Sequence, residues 1–225
     1  VIRDPFRMHE ELPGIFEQSL AVMKNNGAEI IDNLELGDRE DIGKAEGVVL
    51  RYEFKHYLNA YLAKTPDTVK SKTLADLIAF NIEHQEQEMP YFKQEIFVGS
   101  EEKGPLSDDG YLEAVTASQI AMQGLIDQLM TDHNLDLIVL PSRNPANSQD
   151  LVNGDHPSGG GTSSYAAVSG YPSITVPMGY VHELPVSLSF VSRNYTEGVL
   201  IEAAYAFEQA TKIRKKPKFL PYLYQ

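Results

Sequence analysis

Apolar residues recur at helical spacing in four long stretches of the chain. These stretches cover residues 10–26, 43–64, 73–85 and 111–131. Side chains three and four positions apart share one face of a helix, so the spacing predicts four amphipathic helices. Pro13 suits the first turn of the first helix and Gly27 its end, while Thr73 is a candidate N-cap of the third helix. The broad aromatic face of the helix at 43–64 is predicted to pack in the hydrophobic core rather than to bind a ligand.

Shorter apolar runs predict strands. The runs are residues 28–31, 135–140, 174–177 and 186–190. The run at 135–140 directly follows a helix and ends at Pro141, which favours a buried and parallel strand. In the last run Val186, Leu188 and Phe190 alternate with serines, which predicts one buried face. The fold class is therefore predicted to be α/β, with a mixed, mostly parallel sheet flanked by many helices.

The last third of the chain holds a long polar loop and two further predicted helices. Residues 141–163 contain mainly Pro, Ser, Asn and Gly, and a loop of this length inside a domain is usually functional or mobile. A short helix is expected from Ser163 to Ser169, ending at Gly170. In the final helix, Asn194 and Glu197 fit a capping box.

Composition excludes several classes of protein. The 225 residues carry 19 basic and 32 acidic side chains, a net charge of −13, which argues against a nucleic-acid or anionic-membrane surface. The absence of cysteine excludes a thiolate nucleophile, a disulfide scaffold and metal sites built on Cys. No apolar run is long enough to span a membrane. The chain begins at Val1 rather than Met, which leads us to expect that it was processed or cut from something longer.

A nucleophilic serine is one interpretation of the segment from Gly159 to Ser164. A serine nucleophile needs a base within hydrogen-bond reach, and no lysine lies within about forty residues on either side. Lys93, further upstream, lies in what looks like the start of a helix. The favoured interpretation is that the glycines allow close backbone approach and that Ser163 or Thr162 caps the next helix.

The histidines and acidic residues show no metal-binding spacing. Asp155 and His156 are neighbours in the long loop, but a sequential pair seldom directs both side chains at one atom, and a metal needs three or four ligands. The acidic run from Glu83 to Glu88 is expected to be a solvated surface. No metal site is predicted, and surface or core roles are expected for the remaining histidines, which are His9, His56, His84, His133 and His182.

The region from Leu135 to Pro221 carries a more specific pattern. Its segments are LVNGDH at 151–156, GGGTSS at 159–164, AAVSGYPSITVPMG at 166–179, LPVSLSF at 184–190 and AYAFEQAT at 204–211. In this order they resemble the carboxy-terminal end of the amidase signature family, especially its bacterial amidase and peptide-amidase-like members. Residues 14–36 resemble a helix-then-strand segment of the family less specifically. The whole chain, 1–225, would then be a carboxy-terminal part of an amidase signature domain with a helical insert at about 40–131.

The resemblance implies hydrolysis of a carbon–nitrogen amide bond by a Ser–cis-Ser–Lys triad. In the family these residues lie in the amino-terminal half, so no catalytic residue is expected in this chain. The distance from Lys93 to Ser163 is broadly like the family's Lys-to-Ser separation, yet the glycine stretch falls downstream of the catalytic half. The loop would instead border the substrate pocket of the complete enzyme. The residues expected to line that pocket are Asp155, His156, Gly159, Gly160, Gly161 and Thr162.

Three functions therefore remain open from the sequence. The first is the carboxy-terminal fragment of an amidohydrolase, inactive alone, which meets a small amide substrate when joined to the missing half. The second is a catalytically silent interaction or dimerisation module, since severed sheet edges and apolar faces favour self-association. The third is an independent hydrolase using Ser163 or Ser164. We expect no cofactor, no nucleic-acid or membrane partner, a homodimer or larger oligomer, and a cytoplasmic location.

Overall fold

The computed structural model describes residues 1–3, 8–155 and 162–219. The chain divides into two compact units. The first unit comprises Val1–Asp38 and Met122–Gln225, and the second comprises Arg39–Ala121. The predicted residues His156, Gly159, Gly160 and Gly161 lie outside the described residues.

Helices outnumber strands in the described part of the chain. The helices are α1 (Leu12–Asn25), α2 (Glu40–Leu62), α3 (Leu74–Glu83), α4 (Gln85–Glu88), α5 (Glu95–Glu101), α6 (Asp109–Val115), a π-helical segment (Thr116–Ile120), α7 (Ala121–Asp132), α8 (Ser163–Ser169) and α9 (Glu197–Thr211). The strands are β1 (Ile138–Pro141), β2 (Ser173–Val181) and β3 (Leu184–Val191). The predicted helices are confirmed, although the one over 111–131 contains the π segment.

The sheet of the first unit has the strand order β1-β3-β2, and both pairings are antiparallel. The expectation of a mostly parallel sheet is therefore wrong. A turn of only two residues, His182 and Glu183, joins β2 to β3, and a connection this short can only produce a hairpin. The apolar run of β1 shows that the strand is buried, which carries no information about its direction.

The strand predicted at 28–31 is absent from the structure. Ile30 and Ile31 are half-buried in irregular chain. Instead Leu34 forms an isolated parallel bridge with Ile2, and the Ile2 amide donates to the Val139 carbonyl at 3.2 Å. Apolar side chains can be buried from irregular chain as well as from a strand. An apolar run of four residues therefore does not distinguish a strand from irregular chain.

The main hydrophobic core of the first unit lies where α1 and α9 pack on the hairpin. The helices contribute Phe16, Leu20, Leu200 and Phe207, all buried. From β3, the side chains of Val186, Leu188 and Phe190 enter this core, which confirms the alternation predicted from the sequence. Other members of the core are Val1, Leu12, Val139, Val176, Met178, Val181 and Ala204.

Local signals in the sequence determine some of the helix ends. Thr73 caps α3 through a reciprocal capping box with Asp76, and Pro13 occupies the first turn of α1, as predicted. Gly27 follows α1 with φ of 96°, a left-handed conformation that glycine adopts without strain. The capping box predicted from Asn194 and Glu197 is wrong, because α9 begins after Thr196 and no side chain caps it.

In the second unit, residues 39–121, the regular elements are all helical, and α2 packs against α5, α6 and the π segment. Its aromatic stripe is only partly core, since Tyr57 and Tyr61 are 59% and 68% exposed. The apolar positions of α2 span a wider face than these partners cover. The Tyr111 hydroxyl donates a hydrogen bond to the Glu53 carboxylate at 2.8 Å. Burial of the hydroxyl is the larger cause and this bond the second cause that together raise the pKa of Tyr111 to about 12.

Among the described residues, no helix has the length and apolar character needed to cross a membrane.

The packing on β3 predicts the effect of a core truncation. We expect Leu188→Ala to lower the free energy of unfolding by about 2–5 kcal/mol, because Leu188 is fully buried between helices and sheet. Urea denaturation measures this loss. Leu151→Ala is the matched control, since Leu151 is 50% exposed and its truncation should change stability by less than about 0.5 kcal/mol. Equal effects of the two substitutions would contradict the assignment of the core.

Candidate functional site

The long loop leaves the sheet at Ser142 and returns to it at Thr162. The Ser142 amide donates to the Ser187 carbonyl at 2.8 Å, which extends the pairing of β1 with β3 by one bond. The Ser142 carbonyl then accepts two bonds from Thr162, from the amide at 3.0 Å and from the hydroxyl at 3.3 Å. Thr162 is 3% exposed. The two ends of the loop are thus held together, and α8 begins directly beside the end of β1.

A row of three hydroxyl groups crosses the sheet next to this end of the loop. The Ser142 and Ser189 Oγ atoms are 2.6 Å apart, and Ser189 Oγ lies 3.0 Å from Thr175 Oγ1. Ser189 is the central member and is 6% exposed. Its position follows from the register, because Ser189 on β3 lies opposite Thr175 on β2 and so on the same face. This face is opposite to the one that carries Leu188 into the core.

Asn144 connects this loop to the segment that precedes α1. Its side chain is buried, with 5% exposed, and Oδ1 accepts a hydrogen bond of 2.8 Å from the His9 amide. A buried amide oxygen needs such a partner, and this bond positions the backbone of His9. Asn144 carries no functional signal in the sequence, since only the tertiary structure brings residues this distant together.

The predicted pocket residue Asp155 is exposed and bonded within the loop. Its Oδ1 accepts from the Asp150 amide at 3.0 Å. Asp150 in turn accepts hydrogen bonds from the backbone amides of Asn153 and Val152, at 2.9 Å each. These bonds stabilise the charged carboxylate and so lower the pKa of Asp150, and the bond from the Asn153 amide contributes most. Of the predicted pocket residues, only Asp155 and Thr162 lie within the described chain, and the pocket itself stays a prediction.

The serines of the described chain lack the environment of a nucleophile. Ser163, the first residue of α8, is exposed, and Ser164 is half-buried. Thr162 does not cap α8 with its side chain, contrary to expectation, because its hydroxyl is bonded to Ser142. Lys93 lies in the second unit, exposed, with Nζ 3.5 Å from a backbone carbonyl. Other serine hydroxyls donate to backbone carbonyls rather than to a base, namely Ser19, Ser100, Ser118, Ser169 and Ser192.

A second cluster brings together His9, Glu11 and His182. One imidazole nitrogen of each histidine and one carboxylate oxygen of Glu11 lie within 4.8 Å of one another. His182 belongs to the turn of the hairpin, whereas His9 and Glu11 immediately precede α1. Sequence spacing did not indicate this group, because α1 reaches the hairpin only through tertiary packing.

Known proteins share both the sequence and the fold of this chain. No protein-family model matches it. A probable amidase of Arabidopsis thaliana is 34% identical over 214 residues, which cover 92% of this chain and 38% of the relative. The crystal structure of the peptide amidase PAM, in complex with the competitive inhibitor chymostatin, is 36% identical and superposes with a TM-score of 0.88. The superposition covers 97% of this chain and 44% of that one.

The chain belongs to the amidase signature family. An amidase family protein from Bacillus anthracis agrees, at 27% identity and a TM-score of 0.74 over 95% of this chain and 38% of that one. The resemblance noted from the sequence is thereby confirmed at the level of the family. The chain spans about two fifths of the amidases that it matches.

The hydroxyl row of this amidase signature chain is centred on the buried Ser189, which predicts the effect of its removal. We expect Ser189→Ala to lower the free energy of unfolding by about 1 kcal/mol, because it removes the bonds of the Ser189 hydroxyl to Ser142 and Thr175. Ser163→Ala is the control, since Ser163 is exposed, and its effect should stay within about 0.5 kcal/mol. Thermal or urea unfolding measures both. An unchanged stability in Ser189→Ala would show that the row contributes nothing.

Proposed function

We propose that this chain forms part of an amidase that hydrolyses a carbon–nitrogen amide bond, and that it supplies scaffold and one wall of the substrate cleft. The observation that carries the proposal is the match to the peptide amidase, which extends over 97% of this chain but only 44% of that one. A chain of this extent leaves more than half of the related enzyme for the catalytic residues.

The proposed mechanism is the Ser–cis-Ser–Lys mechanism, with all three residues outside these 225 positions. Lysine acts as the base, one serine transfers the proton, and the second serine attacks the amide carbonyl to form an acyl-enzyme that water then hydrolyses. The lack of a base bonded to the buried serines of the described chain favours this division, since a serine hydroxyl is a weak nucleophile without one.

The loop between Ser142 and Thr162 is proposed to border the substrate pocket. Its two ends, Ser142 and Thr162, are held together by the paired bonds to the Ser142 carbonyl. The proposed lining comprises Asp155, His156, Gly159, Gly160, Gly161 and Thr162. Glycines in that position permit the backbone to approach a ligand closely.

A neutral amide of a peptide is the proposed substrate class. The structural relative is named a peptide amidase, and this chain shares 36% of its aligned residues. The net charge of −13 that this chain contributes disfavours anionic ligands through long-range repulsion. A peptide that ends in a carboxamide has no terminal carboxylate, so it meets less of this repulsion than the free acid does.

If the catalytic residues lie outside this chain, the chain alone is inactive and a longer protein that contains it is active. We expect the 225-residue chain to release no ammonia from a peptide amide and to resist labelling by a fluorophosphonate serine probe, because the proposal places the activated serine outside it. A longer protein that contains the amino-terminal half should do both. Labelling of the 225-residue chain that disappears in Ser163→Ala would overturn the proposal and establish an independent hydrolase.

An interaction module is the second candidate, and the surface of α9 favours it. Ile201 and Tyr205 are 58% and 62% exposed, and they lie four positions apart on one helix face. Large apolar side chains grouped on a surface mark an interface more often than isolated ones do. In an amidase the rest of the longer protein would cover this face, whereas in a silent module a second copy would do so.

The two occupants of the α9 face predict different behaviour of the longer protein, since the isolated chain leaves the face uncovered in both cases. We expect the isolated chain to self-associate, and Ile201→Glu together with Tyr205→Glu to shift it to monomer. If the amidase proposal holds, the longer protein does not bind added chain, because its own residues cover the face. Size-exclusion chromatography with light scattering measures the mass, and Glu202→Lys on the same exposed helix is the control. A monomeric parent chain would contradict self-association through this face.

A further inference from the structure

We propose that His9, Glu11 and His182 form a binding site for a divalent transition-metal ion such as Zn²⁺, which joins the segment before α1 to the turn between β2 and β3. The inference is independent of the proposed amidase function. All three residues belong to the first unit, so the site is complete within that unit.

The geometry of the three side chains suits a small metal ion. Their ligand atoms lie within 4.8 Å of one another, and His182 Nε2 is 3.7 Å from Glu11 Oε1. The two imidazole rings meet edge to face, with centroids 6.0 Å apart and planes at 88°. Zinc bonds of about 2.0–2.2 Å hold tetrahedral ligands roughly 3.3 Å apart, so small side-chain rotations close the site.

The backbones that carry these side chains are held in place. The His9 amide donates to the buried Asn144 side chain at 2.8 Å, and the His9 carbonyl accepts from the Leu12 amide at 3.0 Å. On the other side, the turn is closed by the pairing of Val181 with Leu184. The site therefore joins two rigid supports, and only the side chains need to adjust.

The conformation of the turn places the His182 side chain. Both residues of the turn have left-handed backbones, with φ of 46° at His182 and 68° at Glu183. Two-residue turns of this type favour Asn-Gly or Asp-Gly, since those residues adopt positive φ most easily. Histidine is among the residues that are enriched at positive φ, and in this turn the imidazole of His182 lies towards Glu11, with Nε2 3.7 Å from Oε1.

The donor set determines the class of ion. Two imidazoles and one carboxylate are the ligands of many zinc sites that keep a fourth position for water. Hard ions such as Ca²⁺ and Mg²⁺ prefer oxygen ligands, and soft ions prefer the thiolates that this chain lacks. Glu11 and His182 are about half exposed, with 49% and 47% of their side chains accessible, so water can reach the fourth position.

Isothermal titration of the full chain with ZnCl₂ tests the site. We expect one equivalent of Zn²⁺ to bind, and His182→Asn to weaken binding by about tenfold or more, since one of three ligands is lost. Asparagine tolerates positive φ, so this variant keeps the turn. Glu11→Gln should weaken binding comparably. His133→Asn, which changes an exposed histidine outside the cluster, is the matched control and should bind like the parent.

Thermal unfolding with and without Zn²⁺ gives a second readout. Zn²⁺ should raise the midpoint of the parent and of His133→Asn, because an ion that binds only the folded chain stabilises it. It should leave the midpoint of His182→Asn unchanged. If His182→Asn is unfolded without metal, the Zn²⁺-dependent shift in the unfolding midpoint of Glu11→Gln tests the site instead, and we expect that shift to be lost. A parent that binds no Zn²⁺, or equal binding by parent and both cluster variants, overturns the proposal.

Discussion

The first unit depends on the central strand β3, because this strand holds every other element of the sheet. It pairs antiparallel with β1 on one side and β2 on the other. One of its faces sends Leu188 and Phe190 into the core beneath α1 and α9, while the other carries Ser189 into a row of bonded hydroxyls. Stability and the position of the candidate loop therefore rest on one strand, whose two faces have different chemistry.

The same strand connects both candidate sites. Where β1 ends beside β3, Ser142 anchors the loop that is proposed to border a substrate pocket. Where β3 begins, the tight turn presents His182 towards Glu11. Asn144 lies between these regions in the hydrogen-bond network, since it belongs to the loop and holds the backbone of His9. We therefore expect a change in the packing of β3 to shift both the loop that begins at Ser142 and the turn that carries His182.

The chain matches nearly its whole length to about two fifths of a peptide amidase. Exposed Ile201 and Tyr205 on α9 and the exposed tyrosines of α2 are surfaces that a larger protein can bury. The buried serines of the described chain are bonded as structural groups.

The sequence by itself determined the helices, the buried face of β3, the cap at Thr73 and the family, since each depends on neighbouring residues or on a motif in order. It did not determine strand direction, because an apolar run such as Ile138–Leu140 looks the same in a parallel and an antiparallel sheet. Only the tertiary structure decided that β1 and β2 both run against β3, and that His9 and His182 meet. Contacts between distant residues arise from packing, and packing leaves no local signal in the chain.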